Sequence, residues 1–208
     1  MIRSILNNSS VFDRWQSLVG AEGAKRWFTD TYVTPRNPIR VLEVGCGTGA
    51  LCRYLSPSVD YLGVDIDDGY VHAASRAFPN RRFERADIGD LASFESIGRD
   101  FDMVVAFGVL HHLDDSQARR CLRGCAEALT SKGLFFSVDP CHHQNEKPVE
   151  FLMKRFDRGR FIRSADSFRD LVAESFTSAE VEVESHQMLM SYRLAIVTGR
   201  AEDRSTPS

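Results

Sequence analysis

No apolar run in this sequence approaches the roughly 18 residues that a membrane-spanning helix needs. The segment Met1-Ile2-Arg3-Ser4-Ile5-Leu6-Asn7 carries no apolar stretch of a secretory leader, so neither a leader nor a membrane association is expected. There is no Cys-x-x-Cys, and the five cysteines (Cys46, Cys52, Cys121, Cys125, Cys141) are odd in number. Cys121 and Cys125 lie one helical turn apart, which suits a core face better than a disulfide framework, so a reducing, cytoplasmic setting is expected. Strong charge of either sign is missing too. The formal net charge is −3, which gives no whole-chain reason to expect a nucleic-acid partner. Internal repeats and low-complexity linkers are also lacking.

What remains is 208 residues, 43% hydrophobic, enough for one domain with a substantial core. The expected organisation is a helical N-terminal cap over 1–36, a core over 38–139, an inserted recognition segment over 140–163, and a closing helix and hairpin over 164–200. Residues 201–208 read as a frayed tail. Between 10 and 33 the aromatic and aliphatic residues recur at helix spacing, ending at Thr34-Pro35-Arg36-Asn37-Pro38.

From Arg40 strands and helices alternate. Strands are expected over 40–44, 61–64, 83–86, 101–107 and 133–138, and helices from Ala50 onward and over 70–78 and 115–129. A helix over 164–176 and strands over 179–184 and 188–198 follow. Continuous apolar strands between amphipathic helices argue for a mostly parallel sheet covered on both faces, with the terminal hairpin making one strand antiparallel. Glu43, Asp65, Asp87, His111, His112 and Asp139 all fall at or just after strand ends, where such sheets bind ligands.

The sharpest feature is Val41-Leu42-Glu43-Val44-Gly45-Cys46-Gly47-Thr48-Gly49, a strand running into a glycine turn and then a helical pattern. Glycines allow a tight turn and a close approach of backbone to ligand, and a following helix start offers free N–H groups. The pattern is not Gly-x-Gly-x-x-Gly, and no Lys-Ser or Lys-Thr follows it, so the phosphate-loop reading fails. Asp65, ending the second strand, is well placed for ribose hydroxyls. Glu43 lies inside an apolar strand, where an acid needs a partner; a cationic ligand group or an ordered water is expected to supply it.

Taken with Tyr61-Leu62-Gly63-Val64-Asp65, Ala86-Asp87 and Phe101-Asp102-Met103-Val104-Val105-Ala106-Phe107-Gly108-Val109-Leu110-His111-His112-Leu113-Asp114-Asp115, this segment resembles the class I S-adenosylmethionine-dependent methyltransferases, small-molecule type. The resemblance covers 38–139 closely and continues loosely to 198. It implies a Rossmann-like three-layer α/β sandwich whose seven-stranded, mostly parallel sheet ends in an antiparallel hairpin strand. It further implies S-adenosyl-L-methionine as cofactor. Glu43 and the backbone of Gly45, Cys46, Gly47 and Gly49 would hold its methionine end, with Phe107 contributing backbone nearby. Asp65 would take the ribose, Ile66 would pack on the adenine, Asp87 would accept from the adenine amino group, and Ile88 would offer its N–H to the ring. The absence of Asn/Asp-Pro-Pro-Tyr after the fourth strand argues against nucleobase amino groups as acceptors.

Transfer of an activated methyl group needs alignment and exclusion of water. Hydroxyl or amine acceptors gain from a base near neutral pKa, which points to histidine. His111 is the first candidate, with His112, His142 and His143 shaping the acceptor pocket. A metal site from Asp139, Cys141, His142, His143 and His112 lacks a recognisable ligand spacing, and none is expected. Between 147 and 163 six basic residues face two acidic ones. Arg155, Arg158 and Arg160 among them suit a phosphate or carboxylate, so the expected acceptor is a small anionic molecule, methylated on oxygen. Phe12, Arg14 and Trp15 would form the opposite wall. The alternatives are a catalytically silent binding protein of this fold and an RNA or protein methyltransferase; monomer and homodimer stay equally open.

Overall fold

In the computed structural model, residues 21–143, 146, 160–187 and 191–201 are described. Seven strands form one sheet: β1 (Arg40–Val44), β2 (Asp60–Asp65), β3 (Arg82–Arg85), β4 (Phe101–Phe107), β5 (Leu129–Pro140), β6 (Ser178–Gln187) and β7 (Ser191–Arg200). Among the described residues the α-helices are α1 (Ala21–Phe28), α2 (Asp68–Ala77), α3 (Leu91–Ile97), α4 (Asp115–Ala128) and α5 (Ala165–Ala173). The strand order is β3-β2-β1-β4-β5-β7-β6. All neighbours from β3 to β5 run parallel, whereas β7 is antiparallel to both β5 and β6. This is the Rossmann-like sandwich with a terminal hairpin that the sequence pattern implies.

The chain moves outward from β1 through β2 to β3, then returns to lay β4 on the other side of β1. That reversal opens a crevice beyond the carboxyl ends of β1 and β4, the place where open α/β sheets receive ligands. The period of two along each strand divides the core. Leu42, Val44, Val104 and Ala106 face α3, α4 and α5, packing with Phe94, Leu122 and Phe168. Val41, Met103 and Val105 face the other way, packing with Phe28, Tyr61, Phe136 and Ile196. Glu43 alternates with Leu42 and Val44, so its side chain belongs to this second face, under α1.

Three local departures have physical causes. The helix expected from Ala50 is a 3₁₀ turn, Ala50–Tyr54, with Leu55 already extended; Pro57 follows two residues on and opposes further helix. The short α3 falls in a stretch with no expected element. Its Ser and Ile residues are weak helix formers, and it is held by an Asp90 cap and by burial of Phe94 and Ile97. In β5 the strand begins at Leu129 rather than near Gly133, because an irregular register against β4 absorbs the residues between Leu129 and Leu134. Of the expected N-terminal helical region, residues 21–33 are helical, ending in a π-helical stretch over Thr29–Val33.

Candidate functional site

The glycine segment turns back under the end of β2. Gly45, Gly47 and Gly49 all have positive φ, at 67°, 55° and 75°. At Gly45 a Cβ would also come within 2.6 Å of Val109 Cγ2, so a side chain there is excluded twice. The turn is then tied to β2 from outside: the Gly47 N–H donates to Asp65 Oδ2 at 2.8 Å, and the Cys46 N–H to the Val64 carbonyl at 3.0 Å. Asp65 Oδ1 accepts from the Asp67 N–H at 3.0 Å. A carboxylate offers about four acceptor positions, so each oxygen of Asp65 keeps capacity for a ligand hydroxyl.

A cavity of about 440 Å³ lies at this point, bordered by Gly45, Cys46, Gly47, Asp65, Ile66, Asp87, Ile88, Phe107 and His112, among others. That volume is in the range of small-molecule sites. Read across the sheet, Asp87, Ile88 and Gly89 stand beyond β3, Asp65 and Ile66 beyond β2, the glycine backbone beyond β1, and Phe107 to Leu113 beyond β4. Asp87 Oδ1 caps its own turn through the Gly89 N–H at 2.9 Å. Ile66 is 57% exposed beside the cavity, an apolar surface that fits the face of an aromatic ring. An adenosyl group matches this set: a paired acid for ribose, an apolar platform and a second acid for adenine, and a side-chain-free backbone for the remainder.

Glu43 stands apart from this lining. It is 1% exposed, and the buried Tyr61 hydroxyl donates to its Oε2 at 2.5 Å. Burial pushes its carboxyl up to about 7, while Lys25 and the Tyr61 hydrogen bond pull it down less strongly. Tyr61 was absent from the expected site because nothing in a strand tyrosine announces a carboxylate on the neighbouring strand. Cys46 borders the cavity, but burial raises its thiol far above the range in which a thiolate forms.

The two adjacent histidines have different surroundings. Both lie in the 3₁₀ turn Leu110–His112, with ring centroids 4.0 Å apart. His111 is 4% exposed; its Nδ1 lies 2.8 Å from Asp139 Oδ1, and its backbone N–H donates to the same oxygen at 3.2 Å. Asp139 is fully buried, and its Oδ2 has no hydrogen-bond partner among the described residues. His112 is exposed and borders the cavity, whereas His111 does not.

The remaining expected acceptor residues are spread more widely. His142 is exposed, with Nδ1 3.2 Å from Glu146 Oε2, and neither it nor His143 borders the cavity. Arg160 is exposed and also outside the lining. Phe12, Arg14, Trp15, Arg155 and Arg158 lie outside the described residues. Arg163, the last cation of the basic segment, is committed internally. It donates to the carbonyls of Leu110 (2.9 Å) and Leu113 (2.9 Å) and to Asp115 Oδ1 (2.7 Å), strapping the histidine turn to the start of α4. Lys25, Tyr70 and Gln117 border the cavity without having been singled out by any sequence motif. Among the described residues no cluster of three or more His, Cys, Asp or Glu could hold a metal, and no helix is long and apolar enough to cross a membrane.

Residues 42–135 match the family model described as a methyltransferase domain. Among curated proteins, an uncharacterized methyltransferase of Mycobacterium tuberculosis is 38% identical over 80 residues, covering 37% of this chain and 39% of the relative. A phenazine O-methyltransferase of Lysobacter antibioticus is 26% identical over 148 residues, covering 65% and 42% respectively. The chain spans less than half the length of the curated relatives it matches, from 22% to 47%. Among solved structures, a TehB-like S-adenosylmethionine-dependent methyltransferase of Corynebacterium glutamicum superposes with a TM-score of 0.62 at 22% identity, covering 92% of this chain and 97% of that one. Joined to the strand order, the acid at the end of β2 and the glycine turn, these likenesses show a methyltransferase-domain match over residues 42–135, carried on the fold of S-adenosylmethionine-dependent methyltransferases.

Proposed function

We propose that the chain transfers the methyl group of S-adenosylmethionine to a small, anionic acceptor, with oxygen as the accepting atom. The observation that carries this reading is the cavity itself, with acids and an apolar platform beyond β2 and β3 and an exposed histidine beyond β4. When bound, S-adenosylmethionine supplies a methyl group already activated on sulfonium, so the protein's work is alignment and exclusion of water.

Asp65 and Asp87 orient the nucleoside end, and the glycine backbone admits the chain that follows. Phe107 and Val109 border the far end and keep it apolar. His112 is the group placed to accept a proton from a hydroxyl acceptor, since a base must come within hydrogen-bond reach of the proton it removes. His111, the candidate from the sequence, is buried on Asp139; in this reading it is a positioning residue that fixes the turn carrying His112.

The acceptor's negative charge is read from the basic segment, from Arg160 together with Arg155 and Arg158, since Arg163 is spent on the strap. Residues 1–36 are read as a cap and 140–163 as the segment that selects the acceptor, with Phe12, Arg14 and Trp15 on the opposite wall. The test is transfer of labelled methyl from S-adenosylmethionine into a cell extract, followed by fractionation. Label in small, anion-exchange-retained molecules as base-stable ethers, or as base-labile esters, is the expected result. Label confined to RNA or protein overturns the small-acceptor reading, and no label despite donor binding overturns catalysis.

A further inference from the structure

We propose that Glu43 is a proton-linked sensor of cofactor charge: its carboxyl gives up a proton to solvent when S-adenosylmethionine binds, and keeps it when the product, S-adenosylhomocysteine, takes the same place. The proposal rests on the reading of the cavity as the cofactor site. It adds to that reading a dependence of donor affinity on pH and on methylation state.

The geometry is that of an acid sealed beneath the ligand. Glu43 is 1% exposed on β1, two residues before Gly45, and does not border the cavity. Its partner in register on β2 is Gly63. A Cβ at Gly63 would fall 2.7 Å from the Tyr61 hydroxyl and 3.0 Å from Cys46 Cβ. The missing side chain leaves the room in which that hydroxyl reaches Glu43 Oε2. Burial raises the Tyr61 phenol well above its ordinary range, so it stays a donor whether Glu43 is ionised or not.

The charged and titratable groups around Glu43 come from several elements, and most of them also border the cavity. Lys25 of α1 pulls the Glu43 carboxyl down and Asp65 of β2 pushes it up, while Glu43 itself raises the Cys46 thiol of the glycine turn. Lys25, Asp65 and Cys46 all line the cavity. Cys52, in the 3₁₀ turn, feels Glu43 as well, and β4 places Val105 opposite it. Glu43 is therefore coupled by charge to a space that it does not touch. Burial is the largest influence and pushes its carboxyl up to about 7, where a single added charge redistributes the proton.

S-adenosylmethionine brings that charge. Its sulfonium and ammonium outweigh its one carboxylate, whereas loss of the methyl group leaves a neutral thioether and no net charge. A positive charge near a buried acid favours the carboxylate. With donor bound, the proton leaves at lower pH than from the free chain. The free chain binds more protons there, so donor affinity rises as pH climbs through that interval and levels off above it. The product shows less of this rise, so acidification shifts the preference from donor toward product.

Calorimetric titration of the full chain with each ligand, in buffers of different ionisation enthalpy, counts the protons released. At about pH 6.5, below the range of a free α-amino group (about 7.7–8.0), the donor should release roughly half a proton and the product clearly less. The preference for donor over product should grow about 3- to 10-fold between about pH 5.5 and about pH 7. Glu43→Gln keeps an acceptor for Tyr61 but cannot ionise, and should remove the difference in proton release. Tyr61→Phe removes a hydrogen bond to the carboxylate and should move the interval to higher pH. Equal release with both ligands overturns the sensor. So does a difference that survives Glu43→Gln, which would assign it to His112 or Asp87 on the cavity wall. Should Glu43→Gln fail to fold, an interval unmoved by Tyr61→Phe overturns it as well. If neither ligand binds, the cavity reading falls and the sensor with it; if both bind without proton release, only the sensor falls.

Discussion

The Gly47 N–H donates to Asp65 Oδ2 across 2.8 Å, joining the glycine turn after β1 to the acid at the end of β2. The side chain that borders the cavity beyond β2 therefore also holds the loop in shape. With Oδ1 engaged by the Asp67 N–H, Asp65 is a strut between two backbone segments, and the loop depends on it before any ligand arrives.

Replacing this acid should accordingly damage recognition of the nucleoside and of the loop-bound part together. Asp65→Ala is expected to weaken S-adenosylmethionine and 5′-methylthioadenosine alike, by about 10-fold or more, since hydrogen bonds to charged groups contribute roughly 1.5–3 kcal/mol. Calorimetry with both ligands checks this. A loss restricted to the complete cofactor would contradict the ribose assignment.

Glu43 gives a pH signature. Burial raises its carboxyl from the ordinary 4.5 to about 7, so between those values the folded chain holds a proton that the unfolded chain has released. The folded state binds more protons there, and stability falls as pH rises from about 4.5 through about 7, then levels off. The full span amounts to roughly 3 kcal/mol as an upper figure. Glu43→Gln, which keeps an acceptor for Tyr61 and removes the ionisation, should flatten that part of the profile. Urea midpoints measured at several pH values read it out, and an unchanged slope in the variant would remove Glu43 as its source.

The two histidines should separate by phenotype. His112→Ala is expected to lower kcat while leaving donor affinity and melting temperature nearly unchanged, because the ring is exposed. His111→Ala removes the ring whose Nδ1 lies 2.8 Å from the buried Asp139 Oδ1, leaving that oxygen only the backbone N–H of residue 111. Loss of a buried hydrogen-bond partner costs about 1–3 kcal/mol, so this variant should melt earlier. If His111→Ala instead folds normally and loses kcat, the base is His111.

Arg163 offers a test at a distance from the cavity. Its guanidinium bonds the carbonyls of Leu110 and Leu113 together with Asp115, a fork that a lysine cannot reproduce. Arg163→Lys is expected to cost about 1–3 kcal/mol and to reduce turnover more than donor binding, because the strapped turn carries His112. Thermal unfolding together with a kcat-against-KM comparison decides it; a loss of donor affinity without loss of turnover would refute the strap.

By itself the sequence determined the strand ends and what stands on them. Alternating or continuous apolar residues locate the strands, and an acid or glycine at a strand's end is read from its immediate neighbours, so Gly45 to Gly49, Asp65 and Asp87 were legible with no contact map. Helix α3 was not, because it is only 7 residues long, too short for a periodic pattern, and is held by its Asp90 cap and by packing of Phe94 and Ile97. Only the tertiary structure decided which groups meet. It put the Tyr61 hydroxyl on Glu43, Asp139 on His111, Arg163 on the histidine turn and Lys25 at the cavity. Each of these pairs joins residues from different elements, and their meeting is fixed by sheet order and by the face on which a side chain emerges. The division between His111 and His112 has the same origin. Two identical neighbours differ in chemistry because a 3₁₀ turn points one ring into the core, where a buried carboxylate holds it, and leaves the other facing the ligand.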